Sequence, residues 1–400
     1  MLAIVKLAAV FAAMLLLLRL KWKIGYVLMA SSAVLAALYM MPLPTVIATV
    51  RTTVTDPVTI ELFFALTLIR ILEMVLRERQ VLSQMTEAAK SILRRKRLVV
   101  ISMPLLIGLL PSLGGAYFSA PMVHESAKGL NMSKEEKAFA NYWYRHPWEY
   151  ILPLYPGILL VSAVTHLELR SLIIANSALA ALMFATGFIF TMRGVTSETA
   201  SNVKGNFAGF RPSMIKCFIP VITVLLLVIV FHVELFYALL AVIIGLAIFY
   251  RFGLKDIARG IKYGFTSEVI TLIFGVMLFK FMMDDSGAVV YLSQYLKQNG
   301  ISLFPILFAL PFLSGLLTGI TAGFVGSTFP LIINLAGGAH LNEITFAFTA
   351  GYIGVLLSPV HLCLVLTREY FKADMWGVYS KIVPACGILL SAAVVEYYLL

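Results

Sequence analysis

Apolar residues gather in long runs separated by short polar stretches, at 2–18, 24–41, 57–76, 147–165, 170–192, 213–231, 233–251, 266–283, 343–366 and 377–399. Each run is about 17–24 residues, the length a helix needs to cross ~30 Å of hydrocarbon. The pattern predicts an all-α polytopic membrane protein with ten transmembrane helices. Two more apolar runs break it, Pro104 to Pro121 and Phe312 to Pro330. Each has a Gly- and Ser/Thr-rich centre and closes on proline, so neither reads as one spanning helix. They read as re-entrant hairpins, about 98–130 and 302–336, each entering and leaving on one side of the membrane.

The basic residues orient this arrangement. Of the 31 Lys and Arg, only Arg51, Arg170 and Lys297 fall in loops of one side, and Lys6, Arg70, Lys280 and Lys381 fall within spans. The rest collect on the other side, which the positive-inside rule makes cytoplasmic. Both termini are then expected outside. Met1–Leu18 is followed, not preceded, by Arg19, Lys21 and Lys23, and reads as a retained first helix rather than a cleaved signal. If either interrupted segment crossed the membrane, the loops beyond it would change sides and the bias would vanish.

The spans pair in order across the chain, first with sixth through fifth with tenth, hairpin with hairpin. Five spans per copy make the second copy upside down, an inverted repeat of residues 1–210 and 211–400. His146 to Glu149 corresponds to His340 to Glu343, Gly157 to Gly351, and Arg70 to Glu73 to Lys280 to Asp284. Between the third span and the first hairpin, Val81, Met85, Ala88, Ile92 and Leu93 share one stripe, an interfacial amphipathic helix. Its counterpart is expected at about 284–299. Tyr142, Trp143, Tyr144 and Trp148 read as an interfacial aromatic belt, and Arg70 with Glu73 and Lys280 with Asp284 as pairs within their helices.

Composition agrees with the lipid-embedded reading. The 400 residues are 60% hydrophobic and 13% charged, with a mean hydropathy of +0.94. A soluble domain is about 25% charged. The net charge of +11 follows from the basic cytoplasmic loops and calls for no nucleic-acid partner. Cys217, Cys363 and Cys386 form no CxxC, and the histidines show no metal-ligand spacing, so no metal or cofactor is expected. No Walker loop, GxSxG, HExxH or GxGxxG occurs, and no enzymatic activity is expected.

The candidate chemistry lies at the hairpin tips. Gly114 and Gly115, and Gly323 and Gly326, are expected to allow the turns and a close approach of ligand to backbone. Ser112, Ser119, Thr318, Thr321, Ser327 and Thr328 offer hydroxyls. The second arm of each hairpin starts a helix whose free N–H groups suit an anion. Carbonyls freed at the end of the first arms suit Na⁺ as a coupling ion. Pro153, Pro156 and Gly157 should break the fourth span, and Gly351, Gly354 and Ser358-Pro359 the ninth, forming a third wall. Glu149 and Glu343 are the coupling candidates. Glu149, beside Arg145 and His146, is expected to be held ionised. Glu343 is expected to be the better proton carrier.

Leu110 to Met122, Asn141 to Tyr150 and Pro153 to Gly157 resemble an uncharacterised family of prokaryotic integral membrane proteins, a domain of unknown function in the ion transporter superfamily. The resemblance covers essentially the whole chain. The superfamily includes citrate, dicarboxylate, gluconate and arsenite permeases. It implies a two-domain elevator transporter, usually dimeric, often coupled to Na⁺ or H⁺ and often carrying anions. Dicarboxylate carriers place Ser-Asn-Thr at each tip. This chain has no asparagine at either.

Together these readings make a secondary active transporter of a prokaryotic inner or plasma membrane, moving a small organic anion with Na⁺ or H⁺. Membrane lipids and a second copy of the chain are its expected partners. Two alternatives stand beside it: a cation/proton antiporter, in which Glu149 and Glu343 dominate, and a lipid scramblase or flippase.

Overall fold

The structure is a computed structural model and describes residues 2–20, 22–93, 95–111, 115–192, 217–288 and 302–400. The described residues form helices and turns, with no β-strand among them. Leu169–Met192, Met375–Leu399 and the broken element Leu341–Phe371 are long and apolar enough to cross a membrane. Leu254–Gly264 with Ser267–Asp285 makes a fourth if that pair, bent by 41°, is one span. Helices of this length and hydropathy mark a membrane protein.

In chain order the first helices are α1 (Leu2–Arg19), α2 (Ile24–Leu38), α3 (Leu43–Thr55), α4 (Pro57–Glu78) and α5 (Val81–Ile92). Then come α6 (Lys96–Ile107), α7 (Gly115–Ser126), α8 (Lys134–Trp143), α9 (Pro156–Thr165) and α10 (Leu169–Met192). A 3₁₀ turn, Pro147–Tyr150, lies between α8 and α9. The later helices are α11 (Ile219–Leu225), α12 (Leu235–Phe249), α13 (Leu254–Gly264) and α14 (Ser267–Asp285). They are followed by α15 (Phe304–Thr318), α16 (Thr321–Ala336), α17 (Leu341–Leu357), α18 (Leu362–Phe371) and α19 (Met375–Leu399).

Two connections read as loops contain helices, α3 and α13. The segment from Thr45 to Thr55 is rich in Thr and Val, which disfavour helix intrinsically. Asp56 then ends α3 and caps α4, its carboxylate accepting from Thr59 N–H at 2.8 Å. The expected fourth span begins earlier than its apolar run. Ser133 and Glu136 close a capping box that starts α8, so the polar stretch ahead of the run is helical. The chain then breaks from Tyr144 to Tyr155, and Pro156 restarts it at the first turn of α9.

The ninth run differs in a second way. α17 continues through Gly351 and Gly354, and the break falls at Ser358 to His361. Pro359 lacks an N–H, which stops the ladder there. In α5, Val81, Met85 and Ala88 are buried as one stripe. The expected counterpart at about 284–299 lies mostly outside the described residues, as do the start of the sixth run and the loop ahead of it.

Helices from the two parts of the chain pack across each other. α2 lies on α14 and α4 on α12; α3 lies on α14 and α13 on α4. α9 lies on α16, α7 on α18, and α10 on α19. α6 packs on α7, and α15 on α16. The largest fully buried side chains include Trp143, Tyr142, Tyr144, Tyr150 and Tyr352. Of the residues read as an aromatic belt, Tyr142, Trp143 and Tyr144 are therefore core, and Trp148 is half-buried against it. Trp143 Nε1–H donates to Met183 O at 2.9 Å and Tyr142 O–H to Leu356 O at 3.0 Å, so each polar tip is satisfied inside protein.

Charged pairs also differ from the in-helix reading. Glu73 pairs with Arg77, while Arg70 Nε–H donates to Tyr263 O at 3.3 Å. Lys280 Nζ lies 2.9 Å from His166 Nε2, and Asp284 accepts from Asn334 Nδ2 at 2.8 Å. Glu73 thus pairs one turn on within α4, whereas Arg70, Lys280 and Asp284 find partners on other elements, which a spacing rule within one helix does not reach.

Candidate functional site

The break between α8 and α9 meets the break between α17 and α18 in the interior. A cavity of ≈ 1520 Å³ opens from this junction. Its inner wall includes Pro111, Arg145, His146, Glu149, Tyr155, Pro156, the segment Thr318 to Ala322, His361 and Cys363. Arg19, Lys23, Arg70 and Arg77 stand along its outer part with Glu73 and Glu268.

Three helices begin on this wall, α9 at Pro156, α16 at Thr321 and α18 at Leu362. Each presents unpaired N–H groups and the positive end of its dipole. α9 and α16 approach closely, since a Cβ on Gly157 would stand 2.8 Å from Thr321 Cβ. The turn between α15 and α16 is made by Gly319 at φ +65, a conformation that glycine adopts without steric cost. Gly323 and Gly326, expected to make that turn, lie inside α16.

Arg145 is 4% exposed, and its Nε and Nη1 are buried with no hydrogen-bond partner among the described residues. Burying an unpaired charge is costly, so this guanidinium is prepared for an anionic partner. Glu149 lies in the 3₁₀ turn, with a side chain 12% exposed and Oε1 3.9 Å from His146 Nε2. Tyr352 O–H donates to His146 O at 2.7 Å, fixing the broken stretch of backbone.

The expected site residues divide sharply. Pro156, Thr318 and Thr321 line the cavity, as does Glu149. Ser112 and Gly114 lie outside the described residues. Gly115 starts α7 and is buried, and Ser119 hydrogen-bonds Asn141 Oδ1 at 2.7 Å. Gly323 allows the Thr318 side chain to sit 2.8 Å from where its Cβ would be, and Gly326 receives Val276. Ser327 pairs with Ser314 at 2.7 Å, and Thr328 O–H donates to Phe324 O at 2.7 Å. Gly351 lies against the Phe324 ring. These groups close the α15–α16 pair and its neighbours, as small and hydroxyl residues do between membrane helices. Glu343 sits in the first turn of α17, away from the cavity lining.

Arg145, His146, His361 and Cys363 were not found by sequence reasoning. His146 and His361 are separated by 215 positions, so no ligand spacing signals them. Asn141 was also missed. Its Nδ2 donates to Ala116 O at 3.0 Å and to Thr367 Oγ1 at 2.9 Å, tying α7 and α18 to α8. The one local signal was the position of these residues beside proline breaks, where side chains and backbone must find distant partners.

No curated protein matches this chain. A family model does, over residues 3–400, and the chain belongs to the family described as "Protein of unknown function (DUF401)".

Proposed function

We propose that this protein is a secondary active transporter that carries a small organic anion through the cavity at the two helix breaks. The observation that carries this reading is Arg145. Its buried guanidinium, with Nε and Nη1 lacking a hydrogen-bond partner, stands on a wall where α9, α16 and α18 all begin. Positive dipole ends and a free guanidinium fork together suit a carboxylate or similar oxyanion. Basic residues along the outer cavity would raise the local anion concentration.

The packing supports two inverted copies with ten spans and two re-entrant hairpins. Exchanging α2 with α12, α3 with α13 and α4 with α14 turns each observed contact between the first three helices and the second three into another observed contact. The same exchange turns α9 on α16 into α18 on α7. In this reading α6–α7 and α15–α16 are the hairpins, and the broken elements α8–α9 and α17–α18 face them. The cavity rim carries Arg19, Lys23 and Arg77, all from loops read as cytoplasmic, so this conformation is open inward.

Glu149 supports a second reading, cation/proton antiport, because it is a nearly buried carboxylate on the cavity wall. The readings separate by thermal-shift measurement of the purified protein. Anion transport predicts stabilisation by small carboxylates that Arg145→Gln removes. Antiport predicts no carboxylate response and a cation response that Glu149→Gln removes.

A further inference from the structure

His146 and His361 come from the two breaks and meet with their Nε2 atoms 3.1 Å apart. Both are nearly fully buried, at 2% and 7% exposure. His146 Nδ1 is 2.6 Å from Tyr142 O, and His361 Nδ1 is 2.7 Å from Gly319 O. A carbonyl only accepts, so each Nδ1 carries the proton and each Nε2 of a neutral ring presents a lone pair. Two lone pairs thus face each other between buried side chains. Cys363 is the third member: its sulfur and one ring nitrogen of each histidine all lie within 4.8 Å of one another.

We propose that His146, His361 and Cys363 form a binding site for a transition-metal ion of the zinc class, with Glu149 beside its fourth position. Nitrogens bound at about 2.0–2.1 Å to one tetrahedral ion stand about 3.3 Å apart, close to the separation seen here. The ring centroids are 5.0 Å apart at 61°, the splayed placement of imidazoles whose lone pairs converge on one point. The Nδ1 contacts are the outer hydrogen bonds that fix tautomer and ring direction for a metal-ligating histidine. Thiolate with imidazole selects zinc or copper over magnesium or calcium. Cys363 lies in the first turn of α18, where the dipole favours the thiolate form. Binding therefore releases the thiol proton to solvent and adds one sulfur–metal bond.

Glu149 Oε1, 3.9 Å from His146 Nε2, is within a short side-chain movement of the fourth position. That position faces the cavity, where Arg145 also lies. The site depends on side-chain geometry alone and stands whether or not the protein transports an anion.

The test uses the full chain, purified in detergent, with Co²⁺ as a spectroscopic probe and Zn²⁺ as competitor. The expected result is tetrahedral Co²⁺ absorption with a thiolate-to-metal charge-transfer band, displaced by Zn²⁺. Cys363→Ser should remove that band, whereas Cys217→Ser keeps it. His361→Asn should weaken affinity by about tenfold or more. Helix content and monodispersity verify that each variant is folded. If Cys363→Ser does not fold, the His361→Asn affinity decides. Folded wild type that binds neither ion would overturn the proposal and leave the histidine pair to hold a proton. A band that survives Cys363→Ser would overturn it equally.

Discussion

The hydroxyl of Tyr352 in α17 donates to the carbonyl of His146 at 2.7 Å, across 206 positions of sequence. This bond joins the unbroken part of one interrupted element to the break of the other. With the short-range backbone bonds of the 3₁₀ turn, it holds the chain from Tyr144 to Tyr155, where the α-helical ladder is interrupted. The interrupted backbone is covered by packed protein on one side and by the cavity on the other.

Arg145→Gln should abolish stabilisation by the transported anion while the protein stays folded. A ligand at 100 times its Kd stabilises by about 2.7 kcal/mol. That increment should vanish in the variant and should not return in Arg145→Lys, whose point charge lacks the guanidinium fork. Differential scanning fluorimetry with and without ligand reads it. Equal stabilisation in Arg145→Gln would remove the guanidinium from the site.

Asn141→Ala should destabilise the protein by about 1–3 kcal/mol, because Ser119, Thr367 and the Ala116 carbonyl lose a buried partner together. The loss should appear first as weaker protection of α7 in hydrogen exchange. Global destabilisation without any local change at α7 would contradict the role given to Asn141 in holding that helix.

Gly351→Val should be among the more damaging glycine substitutions, since its Cβ would enter the Phe324 ring. Overpacking of this kind costs about 1–3 kcal/mol. Gly245→Ala in α12 meets nothing within 4 Å and should be neutral or slightly stabilising. Thermal unfolding of the two variants checks the contrast, and the reverse order would discredit the packing around α17.

Glu149→Gln should flatten the pH dependence of transport, and Glu343→Gln should retain it. Glu149 lines the cavity, and Glu343 does not. Proximity to Arg145 and His146 in sequence had pointed to the opposite assignment. Initial uptake rates against pH in liposomes distinguish them. A flat profile for Glu343→Gln alone would restore the assignment from sequence.

The difference between these two carboxylates shows how far the chain can be read without coordinates. Hydropathy and proline position mark most of the long apolar helices and the neighbourhood of both breaks, because they reflect local backbone and lipid constraints, but α3, α8 and α13 escape them. The same patterns placed Thr321 and Pro156 beside a common space. They missed what depends on the other half of the chain. Tyr142 and Trp143 look alike at an interface and in a core, since both places satisfy one polar tip on an apolar ring. Arg145 has an ordinary cytoplasmic-loop appearance until the second break closes over it. Gly323 and Gly326 carry the right residue type for a turn, but Gly319 takes the positive φ. α3 was hidden by its Thr and Val content, which packing on α14 overrides.

Charge movement on a solid-supported membrane tests the transport claim most directly. Proteoliposomes are challenged with a panel of small mono- and dicarboxylates, with Na⁺ or a pH gradient present or absent. At least one carboxylate should evoke a transient current in wild type that Arg145→Gln abolishes. No current from any carboxylate under either gradient, or an undiminished current in Arg145→Gln, would contradict it.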